Sequence, residues 1–307
     1  MKSYKLVLLA SAAVLAIFFT LTFFGASSEK KLLIATTTST VDSGLMDYIK
    51  PYFESKYGIN LSWLSLGTGQ ALAVASRGDA DLLLVHDRER EEAFVLSGNG
   101  SLRVTVFYND FVIVGPEKDP ANVSSLNATA CMERIAIAGE SGSALFVSRG
   151  DGSGTHALEK RIWKALDMQG YENSEWYKAA GSGMSATLRL ANELEAYTLA
   201  DRATFIRLKD SMGEALKLKV VCEGDPMLLN PYSIVLLNSS RFPNIRYEQA
   251  VDFLLFITST EGQRLVGDYT ISGEHIFFPI YNMTESIGLP SEDAEVNFVE
   301  DLRASRK

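Results

Sequence analysis

Residues 148–156 read Ser-Arg-Gly-Asp-Gly-Ser-Gly-Thr-His and stand directly before an amphipathic segment that begins near Ala157. Glycine lets backbone N–H groups approach a ligand closely, and the first turn of a helix carries partial positive charge. Arg149 adds a planar fork of donors that suits an oxyanion. This combination is typical of an anion-binding turn at the start of a helix.

A second turn rich in hydroxyl groups lies nearer the start of the chain. The apolar run 31–35 gives way to residues 36–40, Thr-Thr-Thr-Ser-Thr, and apolar residues then recur with helical spacing. A single serine or threonine there would need no explanation beyond helix capping or extended chain. Five in succession between a strand and a helix favour a second ligand-binding turn.

Strand-like and helical runs alternate after the N-terminal region, which is the βαβ pattern of a parallel sheet. Two long apolar runs interrupt the alternation at 104–114 and 226–237, and each is long enough to cross between domains. The predicted strands are 31–35, 60–66, 81–86, 144–147 and 196–199. The predicted helices are 43–57, 69–77, 89–96, 121–135, 157–166, 184–195, 247–257 and 262–266, with one more from residue 202.

A chain of 307 residues with 47% hydrophobic composition can form two α/β domains. We predict two lobes, each a mixed, mainly parallel sheet flanked by helices, joined by two hinge crossings. Lobe I comprises 31–112 and 231–307, and lobe II comprises 113–230. The hydroxyl run 36–40 then belongs to lobe I and Arg149 to lobe II, so we expect the two turns to face each other across a cleft.

The N-terminus, residues 1–28, has the features of an export signal or a membrane anchor. Lys2 and Lys5 precede an almost uninterrupted apolar stretch, 6–24, and small residues follow at 25–28. The apolar stretch is longer than the roughly 7–15 residues of a usual signal core and close to the roughly 20 that span a bilayer. Both alternatives stay open, and both predict an extracytoplasmic protein. No cysteine stands directly after the apolar stretch, at residues 25–29, which excludes a thioether lipid anchor.

Charge and histidine content narrow the possible partners. The formal net charge of −9 argues against binding to nucleic acid, so donors near the ligand must capture an anion against an unfavourable overall field. Three scattered histidines do not make a metal site. His86, at the end of a predicted strand, either lines the cleft or is a hydrogen-bonded structural histidine.

Cys131 and Cys222 are the only cysteines in the chain. An exported protein places both where a disulfide can persist. The alternative is a pair of buried thiols that pack as small hydrophobic groups, because both lie beside apolar residues. The sequence leaves these two readings open.

Two further glycine-containing turns precede predicted helices. Gly67, Thr68 and Gly69 follow a strand, so Thr68 and nearby N–H groups can add donors to the first turn. A dinucleotide-binding fingerprint is excluded there, because Leu72 stands where the third glycine belongs. Residues 181–183, Gly-Ser-Gly, form either a third donor turn or a flexible connection.

Taken in order, these segments resemble the substrate-binding components of tungstate ABC transporters, the TupA-type proteins. The resemblance covers most of residues 31–270. The matching segments are 35–40 (ATTTST), 42–45 (DSGL), 67–72 (GTGQAL), 78–81 (GDAD), 85–86 (VH), 108–116 (YNDFVIVGP), 148–156 (SRGDGSGTH) and 197–202 (YTLADR).

The resemblance implies a type II periplasmic-binding-protein fold that closes around tungstate, or molybdate, and delivers it to a membrane permease. It implies a monomeric binding protein, with no enzymatic activity or cofactor and with tungsten bound only as the oxyanion. The oxyanion-binding residues that it implies are Thr37, Thr38, Ser39, Thr68, Arg149, Ser153 and Thr155.

Other ligands and functions are kept as alternatives. Sulfate and phosphate are also tetrahedral oxyanions, but hydrogen phosphate is best recognised with an added acceptor, and we expect Asp42 and Asp151 to cap helices or hold Arg149 instead. A surface sensor would signal through the N-terminal segment. An ester hydrolase would use Ser153 as its nucleophile, yet the chain offers it no paired base.

Overall fold

The structure is a computed structural model that describes residues 30–306. Its first part contains β1 (Lys30–Thr37), α1 (Thr38–Asp42), α2 (Leu45–Tyr57), β2 (Ile59–Leu66), α3 (Thr68–Ala75), β3 (Leu82–Val85), α4 (Arg88–Leu96) and β4 (Gly100–Pro116). The middle part contains α5 (Ala128–Glu140), β5 (Phe146–Ser148), α6 (Gly154–Ala165), β6 (Tyr177–Ala179), α7 (Met184–Leu194), β7 (Thr198–Asp201), α8 (Arg202–Met212) and β8 (Leu218–Cys222). The last part contains β9 (Leu229–Leu237), α9 (Tyr247–Ile257), α10 (Thr260–Asp268), β10 (Thr270–Ile271), β11 (Glu274–His275), β12 (Phe278–Pro279) and α11 (Asp293–Ser305).

Lobe I is built on a sheet with the strand order β2-β1-β3-β9-β4-β12. Alternate residues of β1 point to opposite faces, as they must in a strand. Leu32 and Ile34 enter the core beneath α2 and α9, whereas Ala35 packs on the opposite face with residues of α3 and α4. The sheet is therefore covered by helices on both faces, and its carboxyl edge is left for the loops.

β4 is shared between the two lobes. Its residues 100–110 pair with β9 in lobe I, and residues 111–116 pair with β7 and β8 in lobe II. The lobe II core gathers around Phe146 and Trp163, both fully buried. α8 contacts both cores, because Ala203 and Ile206 pack with lobe I while Phe205 packs with lobe II.

The mixed α/β fold with helix-flanked sheets is confirmed, but the expectation of mainly parallel pairing needs a correction. Parallel pairing is found for β1 with β2 and β3, and for β5 with β6. β4 pairs antiparallel with β7, β8, β9 and β12, and β3 pairs antiparallel with β9. The reason is that the chain leaves lobe I along β4 and returns along β9 in the opposite direction.

Several predicted boundaries also shift. The helix predicted at 121–135 begins at Ala128, because the Asn127 side chain caps it by accepting from the N–H of Ala130. The helix predicted at 43–57 begins at Leu45, since Gly44 adopts a φ of 86° and separates it from the short helix α1. Asp42 therefore ends α1 and caps no helix. The strand predicted at 196–199 corresponds to β7, which begins and ends two residues later.

The N-terminal apolar stretch lies outside the described residues, so its alternative roles stay predictions. Between residues 30 and 306, no helix is long and apolar enough to cross a membrane. Cys131 and Cys222 are both buried free thiols in the lobe II core. This agrees with the alternative of two thiols packed as small hydrophobic groups.

Candidate functional site

The carboxyl edge of the lobe I sheet gathers three of the sequence motifs. The parallel register places Thr37 beside Leu66 and Thr36 beside Leu84. The hydroxyl run, the start of α3 and His86 therefore follow neighbouring strands at one edge. Ligands of open α/β sheets bind in the crevice beyond the carboxyl ends of the strands.

The hydroxyl run divides into structural residues and residues that face the cleft. Thr36 is buried and donates to the carbonyl of Leu84, and it also bonds the Thr40 hydroxyl at 2.7 Å. Thr38 is exposed at the start of α1. The Thr37 hydroxyl lies 3.0 Å from the Ser39 hydroxyl. Thr36 and Thr40 therefore fix the turn. Thr37 is also buried, at 2% exposed, and Thr38 and Ser39 are the accessible residues of the run.

Two helices of lobe I begin at this rim without a side-chain cap. α1 starts after Thr37, whose hydroxyl bonds Ser39 and caps no backbone N–H. α3 starts after Gly67, which has no side chain with which to cap it. First-turn N–H groups without a capping side chain are donors for an anion, and each helix adds the positive end of its dipole. Thr68 is half-buried at the start of α3.

Lobe II presents a matching edge. β5 lies between β6 and the start of β7, so Arg149, the glycine turn 181–183 and Asp201 follow neighbouring strands. α7 begins after Gly183 without a side-chain cap. α6 begins after Ser153, whose hydroxyl accepts from the N–H of His156 at 3.4 Å. Thr155 is 5% exposed in the first turn of α6.

Arg149 is oriented through one edge of its guanidinium group. Its Nε donates to Oδ2 of Asp151 at 2.8 Å, as expected for that aspartate, and Nη1 and Nη2 have no hydrogen-bond partner among residues 30–306. Partial burial raises the pKa of Asp151, but hydrogen bonds from Ser153 and the charge of Arg149 outweigh burial and lower the pKa overall. The pair stays charged, and two guanidinium nitrogens remain for a ligand.

The two lobes meet where His86 faces Gly154. A Cβ atom added to Gly154 would lie 3.3 Å from Cε1 of His86, so the glycine allows the start of α6 to approach the lobe I edge. Burial lowers the pKa of His86, and hydrogen bonding to Asn230 opposes this shift. The imidazole is therefore neutral at pH 7 and adds no charge to the cleft.

The carboxylates that border the cleft are occupied by partners within the protein. Asp201 caps α8, and Thr204 donates to its two oxygens. Asp110 accepts from Nε and Nη2 of Arg202 at 2.7 and 2.6 Å. With Asp151 held by Arg149, the arrangement offers a ligand mainly donors, which suits a tetrahedral oxyanion without a proton.

A buried polar network at the hinge was not predicted from the sequence. The Tyr232 hydroxyl on β9 lies 2.6 Å from the Ser39 hydroxyl and accepts from Asn109 and Asn230. Burial raises the pKa of Tyr232 to about 12, so the hydroxyl keeps its proton. The network joins the hydroxyl run to both crossing strands. The signal was present as two asparagines inside otherwise apolar runs.

The structure thus brings Thr37, Thr38, Ser39 and Thr68 to one edge and places Arg149, Ser153 and Thr155 at the edge of the other lobe. The Ser153 hydroxyl is engaged as a helix cap, and Thr155 is buried. The contacts of these residues with a ligand stay predictions.

Comparison with known proteins agrees with this geometry. The PBP superfamily domain matches residues 25–261. The tungstate-binding protein TupA of Peptoclostridium acidaminophilum is 39% identical over 231 residues, which are 75% of this chain and 78% of that protein.

Two solved structures are similar over nearly their whole length. The tungstate-binding protein TupA from Desulfovibrio alaskensis G20 is 40% identical, with a TM-score of 0.78, covering 82% of this chain and 99% of that one. The structure described as the tungstate ABC transporter from Geobacter sulfurreducens is 38% identical, with a TM-score of 0.67, covering 79% and 100%. The chain belongs to the PBP superfamily and, within it, to the family of TupA proteins.

Proposed function

We propose that this protein captures tungstate between its two lobes outside the cytoplasm and delivers it to an ABC permease. The observation that carries the proposal is that Arg149 has two guanidinium nitrogens without a hydrogen-bond partner among residues 30–306, and that helices of lobe I begin without side-chain caps. The names of the TupA relatives support tungstate as the ligand.

In this mechanism each lobe supplies a different kind of donor. Thr37, Thr38, Ser39 and Thr68 donate from lobe I, and Arg149 supplies positive charge from lobe II. Ser153 and Thr155 contribute through the first turn of α6, whose backbone N–H groups point in the same direction as the helix dipole. A buried anion surrounded by oriented donors interacts far more strongly than one screened by water.

The ligand preference follows from the carboxylates at the cleft, which are engaged within the protein and leave the ligand mainly donors. Tungstate, molybdate and sulfate are dianions without a proton at neutral pH, whereas hydrogen phosphate carries a proton that needs an acceptor. Asp110, Asp151 and Asp201 are engaged elsewhere, and Asp42 is exposed at the end of α1 opposite the helix start, so hydrogen phosphate would leave its proton without a partner. We propose molybdate as the second ligand, because it needs the same donors and is close to tungstate in radius, whereas sulfate is smaller.

The remaining features of the proposal follow from this role. The protein acts as a monomer without catalytic activity, and the Ser153 hydroxyl serves as the cap of α6. Residues 1–28 act as its export signal or anchor. The lobe boundaries stay proposed at 112/113 and 230/231, close to the point between residues 110 and 111 where β4 changes its pairing partners.

The test is calorimetric titration of the full chain in mild detergent with tungstate, molybdate, sulfate and phosphate in turn. We expect tight binding of tungstate and weak or absent binding of sulfate and phosphate. Arg149→Ala should weaken tungstate binding by about 100-fold or more, since charged hydrogen bonds contribute about 1.5–3 kcal/mol each.

The matched control is Arg77→Ala, because Arg77 is also paired with an aspartate two residues away but is exposed on lobe I. It should leave the affinity unchanged. If none of the four anions gives a heat of binding, the proposal is overturned. If Arg149→Ala and Arg77→Ala lose the same amount of tungstate affinity, the role of Arg149 is overturned.

A further inference from the structure

Glu159 is a buried carboxylate for which the proposed binding mechanism gives no role. It lies in the second turn of α6 and is 1% exposed. Among residues 30–306 it forms no ion pair; instead it accepts from Trp163 at 3.2 Å, from Tyr177 at 2.8 Å and from Ser148 at 2.6 Å. Burying a carboxylate is costly, and these three hydrogen bonds offset part of that cost.

The hydrogen bond from Ser148 connects Glu159 to the Arg149 turn. The Ser148 hydroxyl donates to Oε2 of Glu159 and accepts from the N–H of Gly150 at 3.1 Å. A hydroxyl has a single proton, so donation to the carboxylate leaves its lone pairs for Gly150. The two residues that flank Arg149 are therefore joined through one hydroxyl, whose direction the carboxylate sets.

The turn is also confined on its other side. Gly150 adopts a φ of 63°, and a Cβ atom there would lie 3.0 Å from the Cβ of Ala179 on β6. Ser148 is paired in register with Ala179, so β6 holds the same turn. The hydroxyl bond therefore acts on a turn that has little room to rearrange.

We propose that Glu159 is a positioning residue for anion binding: its carboxylate orients the Ser148 hydroxyl, which holds the Gly150 N–H and so fixes the direction of Arg149. The inference rests on the proposed function only for its consequence in binding. A glutamine at position 159 cannot replace the carboxylate, because one orientation of the amide leaves the Ser148 hydroxyl without an acceptor and the other leaves both Trp163 and Tyr177 without one.

The experiment is a double-mutant cycle in the full chain, purified in mild detergent. Glu159→Gln and Ser148→Ala should each weaken tungstate binding by about tenfold, and the double variant should lose little more than either one. Independent structural damage would instead multiply the two losses. Glu91→Gln is the matched control, because Glu91 is a fully buried carboxylate in lobe I that bonds Arg103; it should leave the affinity unchanged.

A second measurement does not depend on the ligand. Amide hydrogen exchange at Gly150 in the unliganded protein should speed up in Glu159→Gln and in Ser148→Ala, but not in Glu91→Gln. If the unaltered protein fails to bind tungstate, the proposed function fails while this measurement still decides whether the hydroxyl bond holds the turn. Unchanged exchange at Gly150 in both lobe II variants, or affinity losses that multiply, would overturn the inference. If Glu159→Gln does not fold, Ser148→Ala alone decides the exchange result.

Discussion

The hydroxyl run of lobe I and the Arg149 turn of lobe II lie at equivalent edges of their sheets but are held in different ways. The hydroxyl run is neutral, and its side chains bond one another and the hinge residue Tyr232. The Arg149 turn carries charge and is anchored inside its own lobe through Ser148 and Glu159.

Because of this difference, we expect the two turns to contribute to ligand binding in different ways. A charged donor in a partly buried cleft contributes more to binding than a neutral hydroxyl. A hydroxyl that is already bonded to its neighbours costs little further ordering when the ligand arrives. We therefore expect lobe II to dominate the binding free energy and lobe I to couple the bound ligand to the hinge.

The largest expected effect tests whether lobe II contributes more to the binding free energy than lobe I. Arg149→Gln removes the charge while keeping a planar polar group, and it should weaken tungstate binding by about 100-fold or more. Thr38→Val removes one neutral hydroxyl donor and keeps a side chain of similar shape, so it should weaken tungstate binding by less than about tenfold. The dissociation constants are measured by calorimetry. Similar losses in the two variants would break the proposed division between the lobes.

The next effect concerns the contact between the lobes. Gly154→Ala places a Cβ atom 3.3 Å from Cε1 of His86, which is tighter than ordinary contact, and should weaken tungstate binding by about tenfold. Solution scattering with and without tungstate reports whether closure is impaired. His86→Ala in the same chain removes the opposing ring and should restore most of the affinity. A lack of rescue would mean that this glycine matters only within lobe II.

A smaller effect is expected at the hinge. Tyr232→Phe removes the hydroxyl that bonds Ser39, Asn109 and Asn230, and it should lower the free energy of unfolding by about 1–2 kcal/mol. Tungstate affinity should fall by only a few-fold, because the hydroxyl run keeps its other bonds. Denaturant unfolding and calorimetry measure the two quantities. The control is Tyr108→Phe, which changes a partly buried tyrosine on the same β4 strand as Asn109.

The smallest effect is a dependence of stability on pH. Burial lowers the pKa of His86 below its unfolded value near 6.5, so the unfolded chain takes up the proton first as the pH falls. Stability from this group is present above pH 6.5 and is lost below it, with a slope of at most about 1.4 kcal/mol per pH unit. His86→Gln should show a shallower loss of stability between pH 7.5 and 5.5. Parallel curves for the two proteins would contradict the assignment.

Much of the fold follows from local patterns in the sequence. The strand-turn-helix units around residues 36–40 and 148–156 were predicted because apolar periodicity and turn chemistry act over a few residues. The short strands β6 and β8 were not predicted, since a lysine interrupts the apolar residues of each. The pairing directions depend on how the chain returns along β9, which no local pattern encodes.

The candidate site shows the same limit. Its donors could be chosen from residue type and position, whereas the Tyr232 network joins residues up to 193 positions apart and appears only when the sheet is assembled. The occupied state of Asp110 is also a result of a tertiary contact, because its partner Arg202 lies 92 positions away in the chain. Sequence therefore predicts which groups can bind an anion, and structure shows which of them are free to do so.

The unbroken strand β4 bears on the entropy of ligand capture. Because its two halves belong to different sheets and are hydrogen-bonded on both sides of residue 110, the lobes are joined there by ordered backbone and not by a loose linker. If the lobes open and close as proposed, we expect the motion at this crossing to be an elastic twist spread over several peptide units. Little chain disorder has to be removed when the lobes close, so we expect more of the interaction energy to remain as affinity.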